Sequence, residues 1–251
     1  MISSCLPFLL LSPLLCVAQL PPSATPPPLP DAAANQVSAR ELQIPAKARK
    51  AFNKGTELLA AKESAASIPE FQQAVKAFPD FYEAYYKMGL ANLNLHGYPD
   101  AQAAFETSIE VSKGRYPPSQ FGLGVALCMQ RQFAEAEDAV RAGLEQYPAD
   151  ATGHFTLAWV LFTAARLPDA EKSARQAVLY NANFATAYLL LAQIHLGQSD
   201  LSAVTADLDA YLRLDPNGPH SAEAKAIRAQ AERVLAKQQG TGTVLAKTPN
   251  P

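Results

Sequence analysis

Four histidines and three cysteines carry whatever nucleophilic or metal chemistry this 251-residue chain could perform. His154 and His195 fall in stretches of helical periodicity, His96 falls at a turn, and His220 follows a proline. No two of them form an HxxxH pair, and no cysteine stands at a zinc-binding distance from a histidine, so no metal site is expected. Cys5 and Cys16 belong to the apolar start of the chain, which leaves Cys128. Cys128 and His154 occupy corresponding segments and could approach one another. A working Cys–His couple needs hydrogen-bond reach and a third group that orients the base, and the sequence supplies no convincing third member. A small apolar Cys in the core is the commoner role. Gly122-Leu123-Gly124 invites a phosphate-loop reading, but no strand precedes it and it continues into a helical pattern, so these are packing glycines. The expectation is a protein without catalytic residues, cofactor or small-molecule substrate. A hydrolase built on Cys128 and His154 is the remote alternative.

The elements that hold these residues follow from composition and periodicity. Hydrophobic types make up 49% of the chain and charged types 18%, which is too apolar for a fully disordered protein. A net charge of −2 argues against nucleic acid, whose phosphates require clustered Lys and Arg. The run Leu6–Val17 is too short for a transmembrane helix and is interrupted by Pro7 and Pro13. It ends in Cys16-Val17-Ala18, small residues suited to a signal peptidase. Residues 1–18 therefore read as a signal peptide cleaved after Ala18, although Met1–Cys5 carries no Lys or Arg. The expected location is periplasmic or secreted, with membrane contact only through this segment if it stays uncleaved. Residues 19–45, with Pro21-Pro22, Pro26-Pro27-Pro28 and Pro30, read as a disordered spacer of polyproline character. Residues 240–251 read as a frayed tail.

Between residues 46 and 239 apolar residues recur at helical spacing, and strand signals are missing. Helix punctuation marks the breaks: Ser67-Ile68-Pro69-Glu70 as a capping box, Gly97-Tyr98-Pro99-Asp100, Tyr116-Pro117-Pro118, Tyr147-Pro148-Ala149-Asp150, Leu167-Pro168-Asp169 and Asp215-Pro216. The class is all-α, built from antiparallel helix pairs. The pairs also repeat. Steps of twelve and seven residues connect Gly55, Ser67 and Ala74, then Gly89, Ala101 and Ser108, then Gly124, Ala136 and Gly143, then Ala158, Ala170 and Ala177. Ala192, Val204 and Tyr211 make a fifth set, with larger residues in two of its places. Small residues at fixed steps let helices approach closely. Phe71, Phe105, Val140 and Leu208 sit between them, and Pro79, Pro148 and Pro216 close three of the units. Lys113 and Ala182 stand where the other two would be closed, and one residue is inserted near Tyr116.

A helix–turn–helix unit of about 34 residues with small residues in both helices resembles the tetratricopeptide repeat. The resemblance spans Ala48 to Gly218 as five units. It implies a right-handed superhelical solenoid whose last unit packs less regularly, against a capping helix from about His220 to Lys237. It also implies a concave wall formed by the first helix of each unit, where a protein or peptide partner would bind. The residues expected on that wall are Phe52, Tyr86, Leu90, Phe121, Val125, Phe155, Trp159, Phe162 and Leu189, an apolar and largely aromatic strip. Relatives that bind chaperone tails place Lys, Arg and Asn there to clamp a carboxylate, so that ligand is not carried over. The implied function is a non-enzymatic scaffold that takes an amphipathic helix or an extended apolar peptide, with Trp159 as its hot spot. Self-assembly into a homo-oligomer is the alternative function, and for the wall itself the alternatives are that its aromatics pack between neighbouring units or that the proline-rich segment folds back and fills the groove. Amino-terminal sequencing of the protein recovered from the envelope of its host is expected to begin at Gln19; a chain that begins at Met1 contradicts the signal reading.

Overall fold

The computed structural model describes residues 43–245, with side chains to residue 238; the signal segment, nearly all of the spacer and residues 246–251 lie outside this range. Eleven helices follow one another among the described residues, with no strand between them. The chain divides into two compact units, one ending at Ala187 and one beginning at Tyr188.

In the first unit the helices pair as the periodicity predicts. The pairs are α1 (Ala46–Ala60) with α2 (Ser64–Ala77), α3 (Tyr82–Asn94) with α4 (Tyr98–Ser112), α5 (Pro117–Met129) with α6 (Phe133–Gln146), and α7 (Ala151–Thr163) with α8 (Leu167–Tyr180). Most boundaries follow local chemistry. Pro99, Pro117 and Pro168 sit in the first helical turn of α4, α5 and α8, where a missing N–H costs nothing. The Asp150 carboxylate caps α7 by accepting from Gly153 N–H at 2.7 Å. The capping box expected at Ser67–Glu70 is not a helix start. α2 begins earlier, at Ser64, and runs through Pro69. Ser67 is fully buried and its hydroxyl donates to the Ser64 carbonyl instead.

The small residues at the repeating steps are where the pairs interlock. A β-carbon placed on Gly55 would sit 2.8 Å from the Phe71 ring, and one on Gly89 would sit 2.5 Å from the Phe105 ring. The same Phe105 ring also meets Gly122, at 2.5 Å from a β-carbon there, so a single side chain holds α3, α4 and α5 together. Phe121 does the same one layer on, between Gly143 of α6 and Gly153 of α7. Phe71 and Phe105 are fully buried, and Phe121 is only 2% exposed.

Turns within the pairs share one backbone feature. Lys62, His96, Arg131, Ala165 and Ser199 all have positive φ, between 59° and 64°, and follow the first helix of each pair. None is glycine, although a left-handed backbone costs an ordinary residue roughly 1–2 kcal/mol. The inserted residue near Tyr116 is absorbed in the same way. Lys113 and Gly114 are both left-handed, at 56° and 73°, in the α4–α5 turn, and Gln120 donates to the Gly114 carbonyl at 3.2 Å.

The second unit contains most of α9 (Ala185–Gly197), then α10 (Leu201–Leu214) and α11 (Ser221–Leu245). Val204 and Tyr211, the oversized members of the fifth set, are buried. Helix α11 packs on α10 through buried Ala224 and Ala231, with Arg228 paired to Asp209 at 2.7 Å. It runs past Lys237 and through the glycines of the stretch read as a tail.

Two substitutions test this packing. Gly89→Ala should destabilise the protein by about 1–3 kcal/mol by overpacking against a ring that cannot retreat, read as a lower urea midpoint. Ala165→Gly should stabilise it by about 1 kcal/mol, read as a higher midpoint, because it relieves a left-handed alanine.

Candidate functional site

Within the first unit the first helices of successive pairs also touch one another, α1 on α3, α3 on α5 and α5 on α7, so they form one continuous wall. Eight of the nine residues expected on it belong to this unit. Leu189 lies on α9 in the second unit, where it is half-buried.

The eight divide into two rows. Phe52, Tyr86, Phe121 and Phe155 pack between successive pairs. Phe52 lies against Phe81 at 4.6 Å and Phe71 at 5.9 Å between ring centroids, and Phe155 lies 5.0 Å from Phe184. Tyr86 contacts Phe105 at 5.8 Å and Tyr116 at 5.4 Å. Its hydroxyl is pushed up to about 12 by burial, and that of Tyr116 is raised further by burial and by the Tyr86, Glu83 and Tyr82 charges. Phe121 is the ring between Gly143 and Gly153 described above. Each of these rings meets the start of the next pair, at Phe81, Tyr116, Gly153 or Phe184. The aromatic row of the sequence reading is thus a row of joints between repeats.

Leu90, Val125, Trp159 and Phe162 form the second row, one to two turns further along the first helices. Leu90 and Phe162 are half-buried, while Val125 and Trp159 are buried. Helices α5 and α7 are apolar nearly all the way round, with ten buried residues in α5 and eight in α7. A helix that only packed against one neighbour would keep a polar face.

Trp159, like Gln120 on α5 and Gln193 on α9, has a buried polar atom without a partner among the described residues. It is 5% exposed, and its indole N–H is buried with no acceptor among the described residues. A buried donor left unpaired costs about 1–3 kcal/mol and is rare in native proteins. The wall residues on either side of it are uncharged. Thr163, one turn on, donates its hydroxyl to the Trp159 carbonyl at 2.8 Å and shares a hydrogen bond with the Cys128 thiol from α5. Sequence reasoning missed Thr163; its signal was the four-residue step from Trp159.

That thiol is not activated. Burial pushes Cys128 up to about 11, against which the Thr163 bond acts only in part. At neutral pH the thiolate fraction is on the order of one in ten thousand. His154 is occupied elsewhere: its Nε2 pairs with the Pro148 carbonyl at 2.8 Å and its ring stacks on Tyr180 at 5.2 Å. Cys128 lies beside Thr163, nine residues and about 13 Å along α7 from His154, so the two do not make a couple. Two other histidines also have structural partners. His96 pairs with the Tyr98 hydroxyl at 3.0 Å, and buried His195 pairs with Asp207 at 2.6 Å. Among the described residues no cluster of His, Cys, Asp or Glu could hold a metal, and no helix is long and apolar enough to cross a membrane.

Comparison with known proteins agrees with this architecture. The family model for the tetratricopeptide repeat matches residues 52–95, 86–151 and 155–222. No curated protein matches. Among solved structures, a thermophilic repeat protein of Thermus thermophilus is similar at 20% identity and a TM-score of 0.64, over 73% of this chain and 98% of that one. Pseudomonas aeruginosa pilF is similar at 12% identity and a TM-score of 0.65, over 78% and 88%. YrrB, described as having an unusual peptide-binding site, is similar at 17% identity and a TM-score of 0.51, over 70% and 90%. At such identities the likeness is one of fold.

Two measurements check the site chemistry. Cys128 is expected to alkylate far more slowly than free cysteine at pH 7 and to speed up only as pH nears 11; a rate equal to that of free cysteine would contradict its burial. Trp159→Phe removes the unpaired donor and should leave the melting temperature unchanged or raised, whereas Trp159→Ala should cost about 3–5 kcal/mol.

Proposed function

The chain belongs to the tetratricopeptide-repeat family, and from that premise we propose that it is an exported, non-enzymatic adaptor that holds a protein segment against the wall of first helices in its first unit. The family supports protein or peptide binding in general. One observation supports this particular wall: Leu90 and Phe162 stay half-buried where the first helices of this unit adjoin. Leu90, Val125, Trp159 and Phe162 are the residues that would touch the partner, and the four inter-pair aromatics hold the wall in shape. Export rests on the apolar start and on the small residues before Gln19. No step of chemistry is assigned to Cys128 or His154.

The half-buried rim residues allow a test that spares the core. Leu90→Glu and Phe162→Glu should leave the helical signal and melting nearly unchanged while abolishing cross-linking to any protein that the wild-type chain captures in its host envelope. Equal capture by wild type and both variants would move the binding surface off this wall.

A further inference from the structure

In the second unit the turn between α10 and α11 runs Asp215-Pro216-Asn217-Gly218-Pro219-His220. Asn217 is the only asparagine of the chain that precedes a glycine. That pairing opens a reaction that needs no enzyme. A backbone nitrogen can attack the side-chain amide carbon of the asparagine before it, and a glycine, having no β-carbon, leaves the approach clear. Burying the side chain, or locking the nitrogen in a strong hydrogen bond, would prevent the attack. This turn does neither. Asn217 is exposed, and the Gly218 N–H reaches the Asp215 carbonyl only at 3.4 Å. The usual N–H···O distance is about 2.7–3.2 Å, so this bond is weak. Packing also fixes the glycine: a β-carbon on Gly218 would run into the Asp215 carboxylate.

The same turn holds the start of the capping helix. The Lys225 ammonium of α11 donates to the Pro216 carbonyl at 3.2 Å, and the Ser221 N–H donates to the Gly218 carbonyl at 3.0 Å. Asn217 lies between these two anchored carbonyls. Ser221 and Ala224, the first residues of α11 to be buried, follow directly.

We propose that Asn217 is a site of spontaneous modification, and that its product loosens α11 from α10. The Gly218 nitrogen gives its proton to solvent, bonds to the Asn217 side-chain carbonyl carbon and expels the amide nitrogen as ammonia. Water then opens the cyclic imide. Opened at the side-chain carbonyl, it yields aspartate on an unchanged backbone. Opened at the main-chain carbonyl, it yields isoaspartate, in which the chain runs through the former side chain and gains a methylene group. The extra length falls between the Pro216 and Gly218 carbonyls, so Lys225 and Ser221 cannot keep both bonds.

The test ages the full chain at neutral pH and maps its peptides by mass, with isoaspartate read by enzymatic methylation. Asn217 should convert in the native protein at a rate within severalfold of that in the urea-unfolded chain, and faster as pH rises. Asn181, which precedes an alanine and accepts the Asn183 N–H at 3.1 Å, should stay intact over the same period. The aged protein should melt a few degrees lower, and the Ser221 and Ala224 amides should exchange faster. An Asn217→Gln variant should age without either change. A fresh Asn217→Asp variant, which carries the charge on a normal backbone, should melt like the fresh wild type. A native chain that resists while the unfolded chain converts overturns the site. Unchanged melting and exchange after conversion overturn the effect on α11, as does an Asn217→Gln variant that loses as much as the wild type on ageing. A fresh Asn217→Asp variant that melts as low as the aged chain assigns the loss to charge and overturns the lengthening.

Discussion

The fold depends on a steric fit between a ring and the absence of a side chain. Phe105 reaches from α4 into the space left by Gly89 in its own pair and by Gly122 in the next, and any β-carbon at either glycine would fall inside van der Waals contact. Because one ring fills two gaps, forming a pair and joining it to its neighbour are a single event. Phe121 repeats the device between Gly143 and Gly153. Stability in such an array comes from neighbour contacts handed along the chain. That explains how a protein whose one described cysteine, Cys128, stays free can hold its helices in order.

The same fit decides which side chains remain for binding. Rings that lock pairs together cannot also face a ligand. Phe52, Tyr86, Phe121 and Phe155 recur in register along the first helices, and each contacts the start of the following pair. One turn on the sequence becomes irregular: Leu90, Val125 and Trp159 differ in size and chemistry. Regularity belongs to the positions that join one pair to the next.

Much of the architecture was legible because it is written in small residues at fixed steps. The twelve-and-seven spacing located the close approaches at Gly55, Gly89, Gly124 and Gly143, and the inserted residue near Tyr116 appeared as a slip in that spacing. The structure shows it as two successive left-handed residues, Lys113 and Gly114. What misled was local. Ser67-Ile68-Pro69-Glu70 has the letters of a helix start, yet Ser67 lies on the face that must be small and buried, so packing overrides the cap signal. That the aromatics would pack between neighbouring units was one of two readings the sequence left open. Both rows lie on the same helices with the same periodicity, and only the position of the next pair decides which ring it covers.

Trp159 shows why a single unsatisfied atom is more informative than an apolar strip. A strip of Leu, Val and Phe is satisfied equally by a neighbouring helix or by a partner, so its burial says nothing about a ligand. An indole N–H has a directional requirement that apolar packing cannot meet, and the polar groups one turn away are already engaged. The Thr163 hydroxyl donates to the Trp159 carbonyl and is shared with Cys128. Among the described residues the Gln193 amide oxygen of α9 is an uncharged acceptor that is likewise buried and without a partner.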